Sequence, residues 1–176
     1  MTVQETTNIH DASTALSQGL LHVCDQLEQV LDCLSDSDYK TVQDDKSSIG
    51  AHVRHVIEFM QAILQNTNII NYDARKRNLD IETSIEVART ELVSVIEALQ
   101  SKLDSEGADA SIYMIEQLSN GGPSVPVPST LGREIAYAIQ HGIHHIFIIK
   151  TQAEIYGISF DKKIGVAPAT VTYQNQ

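Results

Sequence analysis

Histidines are the residues of this sequence whose type and spacing point most directly to chemistry. Five of the seven histidines fall in two short segments, HVRH at positions 52–55 and HGIHH at positions 141–145. His141 and His145 are four residues apart, which places them on one face of a helix with Cβ atoms ~5–6 Å apart. Two imidazoles at this spacing can chelate one divalent ion, so the second segment predicts part of a metal site.

The first histidine segment offers the remaining ligand. A metal site usually has at least three protein ligands, and His52 and His55 are both available. On a helical wheel His52 borders the apolar stripe while His55 lies further round, which favours His52, but periodicity does not decide between them. His144 projects away from His141, and we expect it either to contact one of the metal-binding histidines or to lie at the surface.

Three neutral imidazoles would leave the full +2 charge on the ion and at least one coordination position open. Water on such a zinc ion reaches a pKa of ~7, and a coordinated thiol becomes a thiolate, so hydrolysis and thiol transfer both fit. Zinc, nickel, iron, cobalt and manganese all accept imidazole ligands, so the ion is not fixed by them. Glu58 and Glu134 are the candidates for proton transfer, although Glu134 would also suit a helix N-terminus.

Two other functions are consistent with the same residues. One is a non-catalytic, stress-related or metal-handling dimer whose metal ties two helices together, which predicts a closed site with a fourth protein ligand. The other is a helical protein without a metal, in which the histidines are solvated. We favour a metal-dependent enzyme acting on a small molecule, and we expect a homodimer.

Apolar residues recur in alternating steps of three and four along four segments, as on the buried faces of amphipathic helices. The chain is therefore expected to be a single domain spanning residues 1–176, of the all-α class, with a four-helix bundle architecture. The segment between the third and fourth helices is a longer crossover in which Val125 and Val127 could pair with SIYMIEQL as a short hairpin. The predicted helices span approximately residues 12–34, 47–65, 81–103 and 130–156.

Loops and caps complete this prediction. Ser47 or Ser48 is expected to cap the second helix, Ser129 or Thr130 the fourth, and Gly157 to follow its end. Residues 35–46 are expected to form a loop, and the tail from residue 160 a coil with a frayed end. The basic cluster at residues 75–77 either lies at the mouth of a pocket, where it would attract an acidic substrate, or is a solvated loop.

Composition limits the range of partners. The formal charge is −11, which disfavours binding to nucleic acid, and apolar residues make up 42% of a chain with no Trp, which predicts an aliphatic core. The N-terminus has no signal-peptide pattern and no segment is long and apolar enough for a membrane span, so we expect a cytoplasmic protein without membrane contact. Cys24 and Cys33 would lie ~13 Å apart on one helix and cannot pair.

Two motifs carry a resemblance to a known family. Residues 48–58 have the form S-x-x-x-x-x-x-H-[apolar]-x-[DE], and HGIHH has the form H-x-x-x-H with an adjoining histidine. In both respects the sequence resembles the DinB-like, or YfiT-like, superfamily of metalloenzymes, over nearly the whole chain. The resemblance implies that His55, rather than His52, joins His141 and His145 as a metal ligand, and that His144 is the adjoining residue.

The same resemblance bears on activity. The segments NYDARKR, STLGREIAYAIQHGIHH and GVAPATVTY are similar to a bacterial subgroup of DinB-like proteins, from which no reaction transfers to this chain. Known activities of the superfamily include thiol S-transferases that use bacillithiol or mycothiol, a thiol-dependent maleylpyruvate isomerase, and the iron-binding part of ergothioneine sulfoxide synthases. A low-molecular-weight thiol is thus an implied cofactor. After the last ligand, the polar part of the family's H-R-G-Q run is replaced here by Ile146, Phe147 and Ile148, so the resemblance does not identify the substrate.

Overall fold

Amphipathic helices dominate the computed structural model, which describes residues 3–42, 47–65 and 68–176, with side chains from residue 12. In chain order, the helices are α1 (Val3–Asp32), α2 (Asp36–Lys40), α3 (Ile49–Ile63), α4 (Leu79–Thr83), α5 (Ile85–Glu106), α6 (Leu131–Ile155) and α7 (Pro168–Gln174). Within these described ranges, none of the helices combines the length and hydrophobicity that a membrane crossing requires.

The four long helices pack through their apolar faces. Helix α6 contacts both α1 and α3, and α5 contacts the same two helices from the other side. The buried side chains are mostly aliphatic, as predicted, with three aromatic residues at Tyr39, Phe59 and Tyr72. Burial of one apolar stripe per helix is what turns the three-and-four spacing of the sequence into this arrangement.

A small sheet corrects the prediction of an all-α fold. Strand β1 (Ile69–Asn71) pairs in parallel with β2 (Ser111–Glu116), which pairs antiparallel with β3 (Val125–Thr130). The pairing of β2 with β3 confirms the predicted hairpin between helices α5 and α6. The prediction missed β1 because it has only three residues, is flanked by polar residues, and pairs with a strand some 40 residues away in sequence.

The predicted capping residues are confirmed at several helix ends, whereas the predicted first and last residues of the helices are less accurate. The hydroxyl of Ser48 accepts from the backbone of α3, the hydroxyl of Thr130 accepts from that of α6, and Gly157 follows α6 with a φ of 80°. The predicted helix over 81–103 was wrong at its start, because Ser84 interrupts it and caps α5. The predicted loop contains α2, which starts with a capping box at Ser35, and residues 43–46 of that loop lie outside the described residues.

The C-terminal tail forms a helix where a coil was expected, and the segment before it docks against the long helices. The backbone N–H of Gly165 donates to Oε1 of buried Gln26 on α1 at 2.8 Å. Gly165 has a φ of 73°, and a Cβ there would lie 2.6 Å from Cα of Phe147 on α6. Only glycine satisfies both the backbone conformation and the close approach.

Candidate metal centre

Close approach of α3 and α6 brings the two histidine segments together. Gly142 lies on α6 beside His141, and a Cβ added to it would lie 3.0 Å from Val23 on α1 and 3.6 Å from Val56 on α3. The missing side chain lets the three helices pack closely at this level. His55, adjacent to Val56, is thereby placed opposite His141.

Three histidine side chains converge across this contact. Nε2 of His55 lies 2.8 Å from Nε2 of His141, and the ring of His145 is 4.6 Å from each of the other two rings, centroid to centroid. One nitrogen from each ring lies within 4.8 Å of the other two. Among the described residues, no fourth His, Cys, Asp or Glu joins this group.

Electrostatics keep these rings neutral. Burial, and then Arg75, lowers the pKa of His55 to about 4, while burial, and then His55, lowers the pKa of His145 to about 3. The pKa of His141 is also lowered, mainly by burial and then by His144. Neutral rings present lone pairs at neutral pH, which is the state that binds a metal.

The geometry of the three rings fits a divalent ion. Metal–imidazole bonds of ~2.0–2.1 Å in tetrahedral geometry place the ligand nitrogens roughly 3.3 Å apart. Nε2 of His55 and Nε2 of His141 are 2.8 Å apart, somewhat closer than that value, and one nitrogen from each of the three rings lies within 4.8 Å of the other two. Small side-chain rotations would therefore suffice to coordinate an ion.

His52 and His144 take different positions from these three. Nδ1 of His52 forms a hydrogen bond of 3.1 Å with Nδ1 of His145, in which one ring donates and the other accepts. His52 is half-buried, so both histidines of α3 face α6, in agreement with the ambiguity of the helical wheel. His144 is exposed, with its ring 6.4 Å from that of His141.

Aromatic residues that the sequence analysis did not identify surround His141. The centre of the Phe59 ring lies 4.6 Å from that of the His141 ring. Tyr72 stacks on Phe59, with ring centres 4.2 Å apart and nearly parallel planes. The Tyr137 ring lies 5.9 Å from that of His141. Positions 59 and 137 are one helical turn from His55 and His141, so helical spacing could have identified them, whereas Tyr72 is brought in by the pairing of β1 with β2.

Both candidate proton-transfer residues are buried and already hydrogen-bonded. Glu58 forms an ion pair with Arg54 at 3.0 Å and accepts from the backbone N–H of Asn78 at 2.6 Å. The hydrogen bond from Asn78 holds the connector between β1 and α4, residues 72–78, against α3. Neither carboxylate belongs to the group of converging ligand atoms.

Glu134 is enclosed more completely than Glu58, with none of its surface exposed. Its Oε2 accepts from the hydroxyl of Tyr72 at 2.7 Å, and its Oε1 accepts from Ser129 at 2.6 Å and from Arg133 at 3.1 Å. Burial, and then the hydrogen bond to Glu134, raises the pKa of the Tyr72 hydroxyl. Glu134 thus joins the connector, the end of β3 and the first turn of α6.

The basic cluster divides between the two expected positions. Cζ of Arg75 lies 5.7 Å from the centre of the Phe59 ring, and its charge helps to lower the pKa of both His55 and His141. Lys76 and Arg77 are exposed. Arg75 therefore lies beside the histidines, and Arg75 and Lys76 also line a cavity of about 380 Å³ together with Glu58, whereas Arg77 lies in solvent.

A mostly apolar cavity of about 420 Å³ adjoins the histidines on the side of His52. Its volume lies in the range of small-molecule sites. Two of its lining residues, Phe147 and Ile155, are largely exposed at 52% and 61%. The full lining is Ser47, His52, Phe147, Ile148, Thr151, Gln152 and Ile155.

Comparison with known proteins gives one family and one curated relative. The model of a protein family described as the DinB superfamily matches residues 20–149. A protein named "FK506-binding protein 5" from Rhizopus delemar is 24% identical over 106 residues, which cover 60% of this chain and 27% of the relative. The chain thus spans about a quarter of the length of that relative. No solved structure matches the chain.

Proposed function

Because the chain belongs to the DinB superfamily, we propose that it is a divalent-metal-dependent enzyme whose ion is bound by His55, His141 and His145. The observation that carries this proposal is the convergence of three neutral imidazoles within 4.8 Å of one another, across two helices far apart in sequence. A solvated histidine-rich surface gives no reason for such convergence.

The number of ligands favours catalysis over a structural metal. Structural zinc sites are usually closed by four protein ligands, whereas catalytic sites keep a position open. Only three ligand groups converge here among the described residues. When bound, the ion supplies Lewis acidity toward water or a thiol.

The residues around the three ligands have separable roles in this proposal. When Nδ1 of His145 donates its proton to Nδ1 of His52, this hydrogen bond orients the His145 ring and leaves its Nε2 free to bind the ion. Phe59 and Tyr137 pack against His141 and restrict its rotation. Glu58 and Glu134 remain proposals for proton transfer, and either would have to release a hydrogen bond to act.

Hydrolysis and thiol S-transfer are the reaction types we propose, with a small-molecule substrate and, for transfer, a low-molecular-weight thiol. The cavity beside His52 would hold an apolar part of either reactant. Zinc, nickel, iron, cobalt and manganese are all compatible with three imidazoles. The architecture belongs to the same proposal: a four-helix bundle of α1, α3, α5 and α6 in a single domain of residues 1–176, in a cytoplasmic bacterial protein.

A paired activity screen tests the proposal. Protein loaded with each of these five ions is assayed against chromogenic esters, and against an electrophile in the presence of a small thiol. We expect turnover with at least one ion, lost in His55→Ala and retained in His22→Ala, a variant of an exposed histidine on α1. Turnover that is unaffected by chelation or by His55→Ala would refute a metal-dependent reaction at this site.

A non-catalytic homodimer is the second candidate. The exposed side chains of Phe147 and Ile155 border one apolar cavity on α6, and such a patch suits burial against a second copy. Light scattering of the wild type and of Phe147→Ser distinguishes the two candidates when combined with the screen. Dissociation of a dimer by this substitution, with no turnover under any condition, would favour the non-catalytic function.

A further inference from the structure

We propose that Arg75 and Arg133 bind an oxyanion group, a carboxylate or a phosphate, of the small molecule that reaches the three histidines. This inference rests on the proposed function and names the class of its substrate. It is carried by the positions of the two guanidinium groups relative to His141.

Each arginine lies on an aromatic ring that contacts His141. Cζ of Arg75 is 5.7 Å from the centre of the Phe59 ring, and Cζ of Arg133 is 4.8 Å from that of Tyr137. Those two rings lie 4.6 Å and 5.9 Å from the ring of His141. Two cationic groups thus flank the same histidine, each held by a cation–π contact.

The charge on Arg75 is not neutralised by an ion pair. Within the described part of the chain, no carboxylate lies within ion-pairing distance of Arg75. Half-buried Glu116, whose pKa is raised mainly by burial and then by Asp73, interacts electrostatically with both Arg75 and Arg133 but forms an ion pair with neither. Arg133 uses Nη1 for Glu134, and its side chain is 56% exposed. Both arginines therefore retain N–H groups for a ligand.

The surrounding charges and the shape of the guanidinium group make these two arginines selective for an oxyanion. The whole chain carries a charge of −11, so an anion is repelled from most of the surface. A metal ion bound to three neutral ligands would add positive charge beside the two arginines. The planar fork of a guanidinium matches the two oxygens of a carboxylate or phosphate, which favours an oxyanion over a halide.

Calorimetric titration with inorganic phosphate and with succinate tests the inference. Each anion is titrated into wild-type protein, zinc-loaded and metal-free, and into Arg75→Gln, Arg133→Gln and the control Arg77→Gln, which removes an exposed charge from the same connector. We expect Arg75→Gln and Arg133→Gln to weaken binding of one anion by roughly tenfold or more, as for loss of a charge-assisted hydrogen bond. Arg77→Gln should change affinity less than twofold, and the preferred anion identifies the phosphate or the carboxylate.

Failure of this inference is distinguishable from failure of the proposed function. The oxyanion site is refuted if Arg75→Gln and Arg133→Gln both bind the two anions as tightly as the wild type does. It is also refuted if the wild type binds neither anion at millimolar concentration. Neither result would depend on the metal content, which tests the proposed function. Protein that takes up none of the five divalent ions named above but binds an anion in an Arg75-dependent manner would support the oxyanion site and refute the metal-dependent function. Arg75→Lys adds a further check, since it keeps the charge but loses the fork and should bind with intermediate affinity.

Discussion

Replacing Tyr72 by phenylalanine removes one hydroxyl group from the buried contact with Glu134. The two side chains are 1% and 0% exposed, and the lost hydrogen bond is 2.7 Å long. Oε2 of Glu134 would then have no donor among the described residues, whereas Oε1 keeps Ser129 and Arg133. The stacking of the ring on Phe59 needs no hydroxyl, so the aromatic contacts beside His141 should persist.

The expected loss of stability follows from this geometry. Leaving a buried charged group without one of its hydrogen bonds costs about 2 kcal/mol. For a chain of this size the same loss corresponds to a fall of roughly 4–8 °C in Tm. Because the phenylalanine ring fills the same volume, packing should add little to this difference.

Urea denaturation followed by circular dichroism measures this effect. Tyr173→Phe is the matched control, because Tyr173 is 78% exposed and the same atom is removed there. We expect an unchanged denaturant slope, a lower midpoint for Tyr72→Phe only, and unchanged metal content in both variants. A midpoint equal to that of the control would refute the inference that Glu134 depends on Tyr72, and loss of metal would show that the hydroxyl also orients His141.

Three further predictions concern backbone packing, titration and thiol reactivity. Gly50→Ala should destabilise the protein by about 3 kcal/mol, measured by urea denaturation, because the new Cβ would lie 2.0 Å from the backbone oxygen of Glu82. Metal-free protein should lose stability as the pH falls from about 6.5 toward 3, since burial lowers the pKa of His145 to about 3 while the unfolded chain takes up that proton near its ordinary pKa. Removing this group in His145→Gln should reduce the loss between about pH 7 and pH 5 by roughly 1 kcal/mol after allowance for solvent screening; an unchanged pH dependence would contradict this. Cys33 should react with a thiol reagent faster than Cys24, because Cys33 is exposed while burial, and then Asp25, raises the pKa of Cys24; equal rates in Cys24→Ser and Cys33→Ser would contradict this.

Helical periodicity was sufficient to predict most of the fold. Apolar spacing identified the four long helices, since each buries one continuous stripe, and the capping residues Ser48 and Thr130 followed from the preference for hydroxyls at helix starts. It could not predict β1, because a three-residue strand has no measurable period and its pairing with β2 is set by tertiary contacts. The break at Ser84 was missed for a related reason, since the apolar spacing continues across it from α4 into α5.

The candidate site was only partly predictable from the sequence. Four-residue spacing places His141 and His145 together, but the choice on α3 depends on how two helices are rotated against each other, which the periodicity of one helix does not fix. The structure places His55 in the group of three and His52 in contact with His145. Arg75 and Tyr72 come from a connector without helical spacing, so their positions beside the site depend on the sheet.

Metal content tests the central claim most directly. Untagged protein is purified without chelator and compared by elemental mass spectrometry with His55→Ala, His141→Ala and His145→Ala, and with His144→Ala as the matched control on the same helix. We expect one divalent ion per wild-type chain, lost in the first three variants and retained in the control. Wild-type protein that stays without metal after incubation with zinc, nickel, iron, cobalt or manganese would contradict it.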